Sequence, residues 1–171
     1  MNIERIPEKT IYVPLLGGPG TGKSTFAHGA FSLAKWRGWN AECIQEFAKD
    51  KTWESEELEL GGLRLAKQLH LALACQPYIT GKQFWRQFRV LGKTDIVFTD
   101  TCLLLSGFIY ESFGCTPTFN ETVLEQYKLF EHRPIFLVRN EDKHKYNPKG
   151  RSQTAEEAKS LDVKILEVLE R

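Results

Sequence analysis

Residues 17–24 read Gly-Gly-Pro-Gly-Thr-Gly-Lys-Ser and fill every fixed position of the phosphate-binding loop pattern G-x-x-x-x-G-K-[ST]. No other stretch narrows the choice of fold so far, because such a loop works only between a strand and a helix. The apolar run from Ile11 to Leu16 supplies the strand, and a helix is expected to open at Lys23. Gly17, Gly18, Gly20 and Gly22 let the backbone turn its N–H groups inward around the β- and γ-phosphates, where the helix start adds the positive end of its dipole. Lys23 is expected to carry a mobile positive charge to those oxygens and the Ser24 hydroxyl to ligate Mg²⁺, with Thr21 and Thr25 completing the nucleotide contacts. ATP and Mg²⁺ are therefore the expected cofactors.

Beyond the loop, short β-branched runs alternate with longer helical patterns, which predicts a parallel sheet covered on both faces. Strands are expected over 11–16, 41–46, 95–100 and 134–139. Helices are expected over 23–37, about 56–75, 78–91 and as a pair between 103 and 130. The expected class is α/β: a three-layer P-loop fold of the nucleoside- and nucleotide-kinase kind with a small basic lid. Gly38 and Gly92 are placed to stop helices. Pro14 interrupts the donors of what should be a central strand, so a local bulge is expected there. Near the C-terminus, Thr154-Ala155-Glu156-Glu157 has capping-box spacing, and Ala158, Leu161, Ile165 and Leu169 recur on one helical face that should pack on the sheet.

The 171 residues leave room for one domain, 1–171, with a core of ordinary size. A net charge of +1 provides no global field toward nucleic acid or membrane. No stretch approaches the roughly 20 apolar residues of a membrane span, and Met1 to Arg5 lack the apolar core of a secretion signal, so a cytoplasmic location is expected. Cys43, Cys75, Cys102 and Cys115 lack C-x-x-C spacing and read as reduced thiols. No spacing points to an oligomeric state, and none pairs His28, His70, His132 and His144 as metal ligands; only His144 falls in the lid.

Asp100 ends the run Ile96-Val97-Phe98 at the carboxyl edge of a strand, where ligands bind in open α/β sheets. Either it holds Mg²⁺ or it caps the next helix, and the loop upstream favours the metal. No N-K-x-D segment that would read a guanine base is present, which argues against a GTPase switch. Thr101 follows Asp100 where many motor ATPases carry a water-polarising Glu, so transfer to a hydroxyl is favoured over hydrolysis. Such transfer needs a mobile basic lid, and residues 140–152 suit it: Pro148 and Gly150 break regular structure among Lys143, Lys145, Lys149 and Arg151. Arg151 is the candidate to stabilise the transferring phosphoryl group, with Arg139 as a second contributor; the alternative is a solvated surface loop.

Together the loop 17–25, Gln45-Glu46-Phe47-Ala48-Lys49, Phe98-Thr99-Asp100-Thr101 and the lid with 153–158 downstream resemble the kinase domain of the NadR-like proteins, which phosphorylate nicotinamide riboside. The pattern is also similar to small bacteriophage P-loop kinases, some of which phosphorylate hydroxymethyluracil in DNA. The resemblance implies a kinase that uses a nucleoside-type small molecule or hydroxymethylated DNA as acceptor, in a bacterial or phage-infected cytoplasm. In the NadR-like pattern an E-Y-x-R/K segment follows the second strand; here Phe47 replaces the aromatic alcohol and Lys49 stands at the basic position.

Glu46 faces the same edge as the loop and is the first candidate for general base, with Asp100 as competitor and Asp50 weaker. A helix-capping or salt-bridged surface carboxylate is the other reading of Glu46. Residues 81–93 carry four basic residues, three aromatics and no acid. That composition either binds a nucleic-acid strand or, as the helical spacing of Phe84, Phe88 and Leu91 favours, places aromatics in the core and cations in solvent. Trp36 and Trp39 are expected to pack at a helix end. A nucleotide-binding regulator without turnover is the reading from another functional class.

Overall fold

A computed structural model describes residues 9–47, 69–108, 117–140 and 154–169. The apolar run forms β1 (Ile11–Leu16), which leads through the glycine loop into α1 (Lys23–Trp36) and returns as β2 (Ala41–Ile44). Then come α2 (Leu69–Phe88), β3 (Ile96–Thr99), α3 (Leu103–Phe108), α4 (Pro117–Lys128), two short strands β4 (Glu131–His132) and β5 (Ile135–Phe136), and α5 (Ala155–Leu169). All strand pairs are parallel in the order β2-β3-β1-β4, with β5 also on β1. β1 is central, and Tyr12 to Leu16 are all buried, as a strand covered on both faces requires.

Alternation along β1 sorts the layers. Val13 and Leu15 point to one face, where Ala27 of α1 and Phe98 complete a cluster. Tyr12 points to the other, with Val97, Ile44, Leu103 and Phe130, against which Phe84 and Phe88 of α2 pack. Leu16, Cys102 and Ile165 form a third cluster that seats α5. The result is the expected three-layer P-loop architecture. α5 starts on the expected capping box: Thr154 N–H donates to the Glu157 carboxylate at 2.8 Å and Glu157 N–H to the Thr154 hydroxyl at 3.2 Å. Gly38 adopts φ 86° after α1, and Gly92 adopts φ 71° in the turn before β3.

Several expectations are corrected. Pro14 makes no bulge; it stays in register opposite Thr99. Tyr12 and Leu16 accept from Arg133 N–H and Leu137 N–H, so the even-numbered residues of β1 direct their backbone groups to the β4–β5 side. The donor that Pro14 lacks therefore falls in the gap between β4 and β5, where no ladder bond is forfeited. The strand expected over 134–139 is shorter, β5 alone at Ile135–Phe136, and β4 precedes it outside the expected range. β2 and β3 stop at Ile44 and Thr99, before Glu46 and Asp100. No helix boundary separates 75 from 78, because α2 continues through Pro77. Losing a helical bond there costs roughly 3 kcal/mol, which packing along a 20-residue helix outweighs. Trp36 is 86% exposed rather than packed, and Trp39 is half exposed. The side chains of 69–75, and residues 48–68 and 141–153 altogether, lie outside the described residues.

In residues 81–93 the core reading holds. Phe84, Phe88 and Leu91 pack against the Tyr12 cluster, and Lys82 and Arg89 are exposed. Among the described side chains of α2, however, the most buried are Gln76, Thr80, Gln83 and Gln87, a polar stripe that hydrophobic periodicity misses. Cys43 and Cys102, the described cysteines, form no disulfide, and burial pushes the Cys102 thiol up to about 12. No described helix is long and apolar enough to cross a membrane.

Candidate nucleotide-binding site

The carboxyl edge of the parallel sheet gathers three chain reversals: the loop after β1, the turn after β2 and the turn after β3. In the first, Gly17, Gly20 and Gly22 have φ of 134°, 89° and 90°, values that exclude ordinary side chains. A Cβ on Gly17 would lie 2.8 Å from the Thr21 hydroxyl and 2.9 Å from the Leu137 carbonyl oxygen, whereas at Gly22 it would meet open space. The first glycine is thus closed in by structure and the last is open to a ligand. Thr21 folds back on the loop, its hydroxyl donating to the Gly18 carbonyl at 3.0 Å. The helix then opens, with Phe26 N–H donating to the Gly22 carbonyl at 2.9 Å. Lys23, Ser24 and Thr25 form the first turn of α1, and backbone N–H groups at such a helix start are the donors a phosphate needs.

Lys23 donates to the Gly17 carbonyl at 2.6 Å and to the Gly18 carbonyl at 2.9 Å. Its ammonium therefore lies across the loop whose phosphate it is expected to hold. Asp100 is 1% exposed, and its two carboxylate oxygens divide the edge between them. One accepts the Ser24 hydroxyl at 2.6 Å and the other the Glu46 backbone N–H at 2.7 Å. Ser24 and Asp100, 76 residues apart in sequence, thus come together as a pair of hard oxygen ligands. With the open cradle at Gly22, this donor set fits a magnesium nucleotide: Ser24 and Asp100 would hold the ion and 17–25 the phosphates.

Glu46 lies one peptide from Asp100, half-buried at the same edge. The next residue, Phe47, is buried; its N–H donates to Gln83 at 2.8 Å, its ring meets Tyr78 edge-on and Arg86 lies 4.8 Å above it. His28, one turn into α1, bridges the Ser24 carbonyl and Gln45 at 2.6 Å and 3.1 Å. Arg139 sits on the outer side of the loop, paired with Asp162 of α5 at 2.9 Å and donating to the Ala158 carbonyl at 3.3 Å. Asp162 also accepts the Gly18 N–H. Arg151, His144 and Asp50 lie outside the described residues.

Sequence reasoning did not single out Gln83, His28 or Asp162. Asp162 carried a signal, since it falls four residues after Ala158 on the inward face of α5, an acid where the pattern calls for an apolar residue. Gln83 and His28 carried none, because neither breaks a pattern.

Comparison with curated proteins gives no match. A family model described as an AAA domain matches residues 12–171, from the second residue of β1 onward. That span contains the whole phosphate loop, the Ser24–Asp100 pair and, apart from Ile11, every described strand of the sheet. The chain therefore belongs to the AAA domain family of P-loop nucleotide-binding proteins.

Proposed function

We propose that this protein is a kinase that moves the γ-phosphoryl group of ATP to a hydroxyl of a nucleoside-type acceptor, as its resemblance to the NadR-like nicotinamide riboside kinases implies. The observation that carries the reading is the division of Asp100 between Ser24 and the Glu46 N–H. It supports a role for Asp100 as metal anchor, with the backbone of a second acidic residue, Glu46, bonded to it at the carboxyl edge of the sheet. Thr101 follows Asp100, so the position of a hydrolytic Glu is taken by a hydroxyl residue.

In the proposed reaction the acceptor oxygen bonds to the γ-phosphorus as the bridging oxygen between β and γ leaves with ADP. The hydroxyl proton passes to Glu46, because Asp100 is buried with both oxygens already engaged. Lys23 leaves the Gly17 and Gly18 carbonyls for the β- and γ-oxygens, and Arg151 of the proposed lid closes on the transferring group. Mg²⁺, when bound, offsets charge on the same oxygens. Most of the rate comes from positioning and fixed charge.

The test incubates the protein with γ-labelled ATP and Mg²⁺ beside a nucleoside panel that includes nicotinamide riboside, and separately beside duplex containing hydroxymethyluracil. Label on a free nucleoside is the expected result. Label on duplex alone replaces the small-molecule acceptor with DNA, a reading favoured by the cationic α2 face, where Arg86 donates to the Gln45 carbonyl at 3.3 Å beside exposed Lys82. Tight ATP binding with no acceptor-stimulated, Lys23-dependent ADP release would make the protein a nucleotide-binding regulator instead.

A further inference from the structure

Position 18 is one of the free positions of the phosphate-loop pattern, and Gly18 has no positive φ that would demand glycine. Yet a Cβ there would lie 2.5 Å from a carboxylate oxygen of Asp162 and 2.6 Å from the Ala158 carbonyl oxygen, both on α5. The glycine is required by a helix more than 130 residues downstream and not by the loop's own conformation. The contact is polar and largely sequestered. Asp162 accepts the Gly18 N–H with Oδ1 and the Arg139 Nε–H with Oδ2, and the two side chains are only 19% and 13% exposed.

The N–H that Asp162 accepts belongs to the peptide joining Gly17 to Gly18, and the carbonyl of that same peptide is the one that accepts Lys23 at 2.6 Å. One rigid, planar unit is therefore held at its N–H by an anion and at its carbonyl by a cation. Arg139 in turn fixes the anion, so the order is guanidinium, carboxylate, peptide, ammonium. Charge at each end polarises the hydrogen bonds between and strengthens them.

We propose that Asp162, oriented by Arg139, is a positioning residue for nucleotide binding: it sets the plane of the Gly17–Gly18 peptide and thereby the resting place of the Lys23 ammonium. This deepens the kinase reading but rests only on its nucleotide-binding part. A carboxylate beside a phosphate site would ordinarily repel the ligand. Neutralised by Arg139 and spent on the loop's N–H, Asp162 instead favours binding.

The full chain is titrated calorimetrically with Mg·ATP as wild type, Asp162→Ala, Asp162→Asn, Lys23→Ala and the double variant Asp162→Ala/Lys23→Ala, with thermal midpoints recorded alongside. Asp162→Ala should weaken ATP about tenfold, the loss of a charge-assisted bond. Asp162→Asn keeps an acceptor for the Gly18 N–H and should stay within about threefold of wild type. In the Lys23→Ala background the Asp162→Ala effect should shrink below about twofold, because coupled residues are not additive. Unchanged or tighter binding by Asp162→Ala overturns the proposal, as does full multiplication of the two single effects. If Asp162→Ala does not fold, a Asp162→Asn protein that binds more than tenfold more weakly overturns it as well, and one within threefold supports it. A wild type that binds no ATP removes the nucleotide reading itself, a result distinct from wild-type binding that Asp162 does not influence.

Discussion

Among the described residues, helices α1 and α5 touch the phosphate loop, and they do so in opposite ways. α1 continues the loop covalently, contributes Lys23 and Ser24, and buries little: Ala27 is its one buried residue, while Leu33 and Trp36 face solvent. α5 is remote in sequence, buries Ala158 and Ile165, and reaches the loop through Asp162 and the Ala158 carbonyl. The inner lining of the loop is thus a local matter of dihedral angles and helix start, tolerant of what lies on the rest of α1. The outer wall is a tertiary matter of close packing, intolerant of an added methyl group. Chemistry and support come from different helices.

The largest way to break this division is Lys23→Ala. If α1 supplies the chemistry, acceptor-dependent ADP release should fall by about 10²–10³-fold with the thermal midpoint unchanged; a loss under fivefold would contradict it. Next comes acid. His132 stacks on Tyr127 with ring centroids 3.6 Å apart, and Tyr127 and Phe136 pack with Ile165 to seat α5. Burial lowers the His132 pKa to about 4, so the folded protein holds it neutral, donating through Nε2 to the Tyr127 carbonyl. Unfolded, it takes up a proton near pH 6.5, so its contribution is complete above that pH and is lost as pH falls toward 4. The loss totals about 3 kcal/mol at 1.36 kcal/mol per unit. The α1 cluster of Val13, Leu15, Ala27 and Phe98, with Cys43 packed against it, holds no histidine or carboxylate. Hydrogen exchange at pH 4.5 should therefore open α5 before α1, and simultaneous opening would erase the contrast.

The two glycine substitutions sharpen it further. Gly18→Ala forces α5 away and should cost about 1–3 kcal/mol in denaturant unfolding, with weaker ATP binding. Gly29→Ala in α1 meets nothing within 4 Å and should add about 0.5–1 kcal/mol by raising helix propensity. Equal signs for the two would show that the helices are not so different.

Much of this was legible beforehand. β1, the start of α1, the capping box at Thr154 and the meeting of Ser24 with Asp100 follow from local patterns or from a motif whose geometry is fixed. Pro14 was misread because its effect depends on which neighbour its missing donor faces, and the break between β4 and β5 decides that. Trp36 was misread because an aromatic residue at a helix end carries no label for the side that is covered. The glutamine stripe of α2 escaped because polar burial is set by partners such as the Phe47 N–H, which are distant in sequence.

By itself the sequence determined that a strand, a glycine-lined turn and a helix would present a lysine and a serine to phosphate, since those steps need only neighbouring dihedral angles and one helix dipole. Tertiary structure alone decided that the second oxygen of Asp100 would take the Glu46 N–H, and that Arg139 would turn to Asp162 behind the loop. Those two pairings span 54 and 23 residues. Burial makes an unpartnered charge costly, so where these groups settle depends on which partners the finished packing brings within reach.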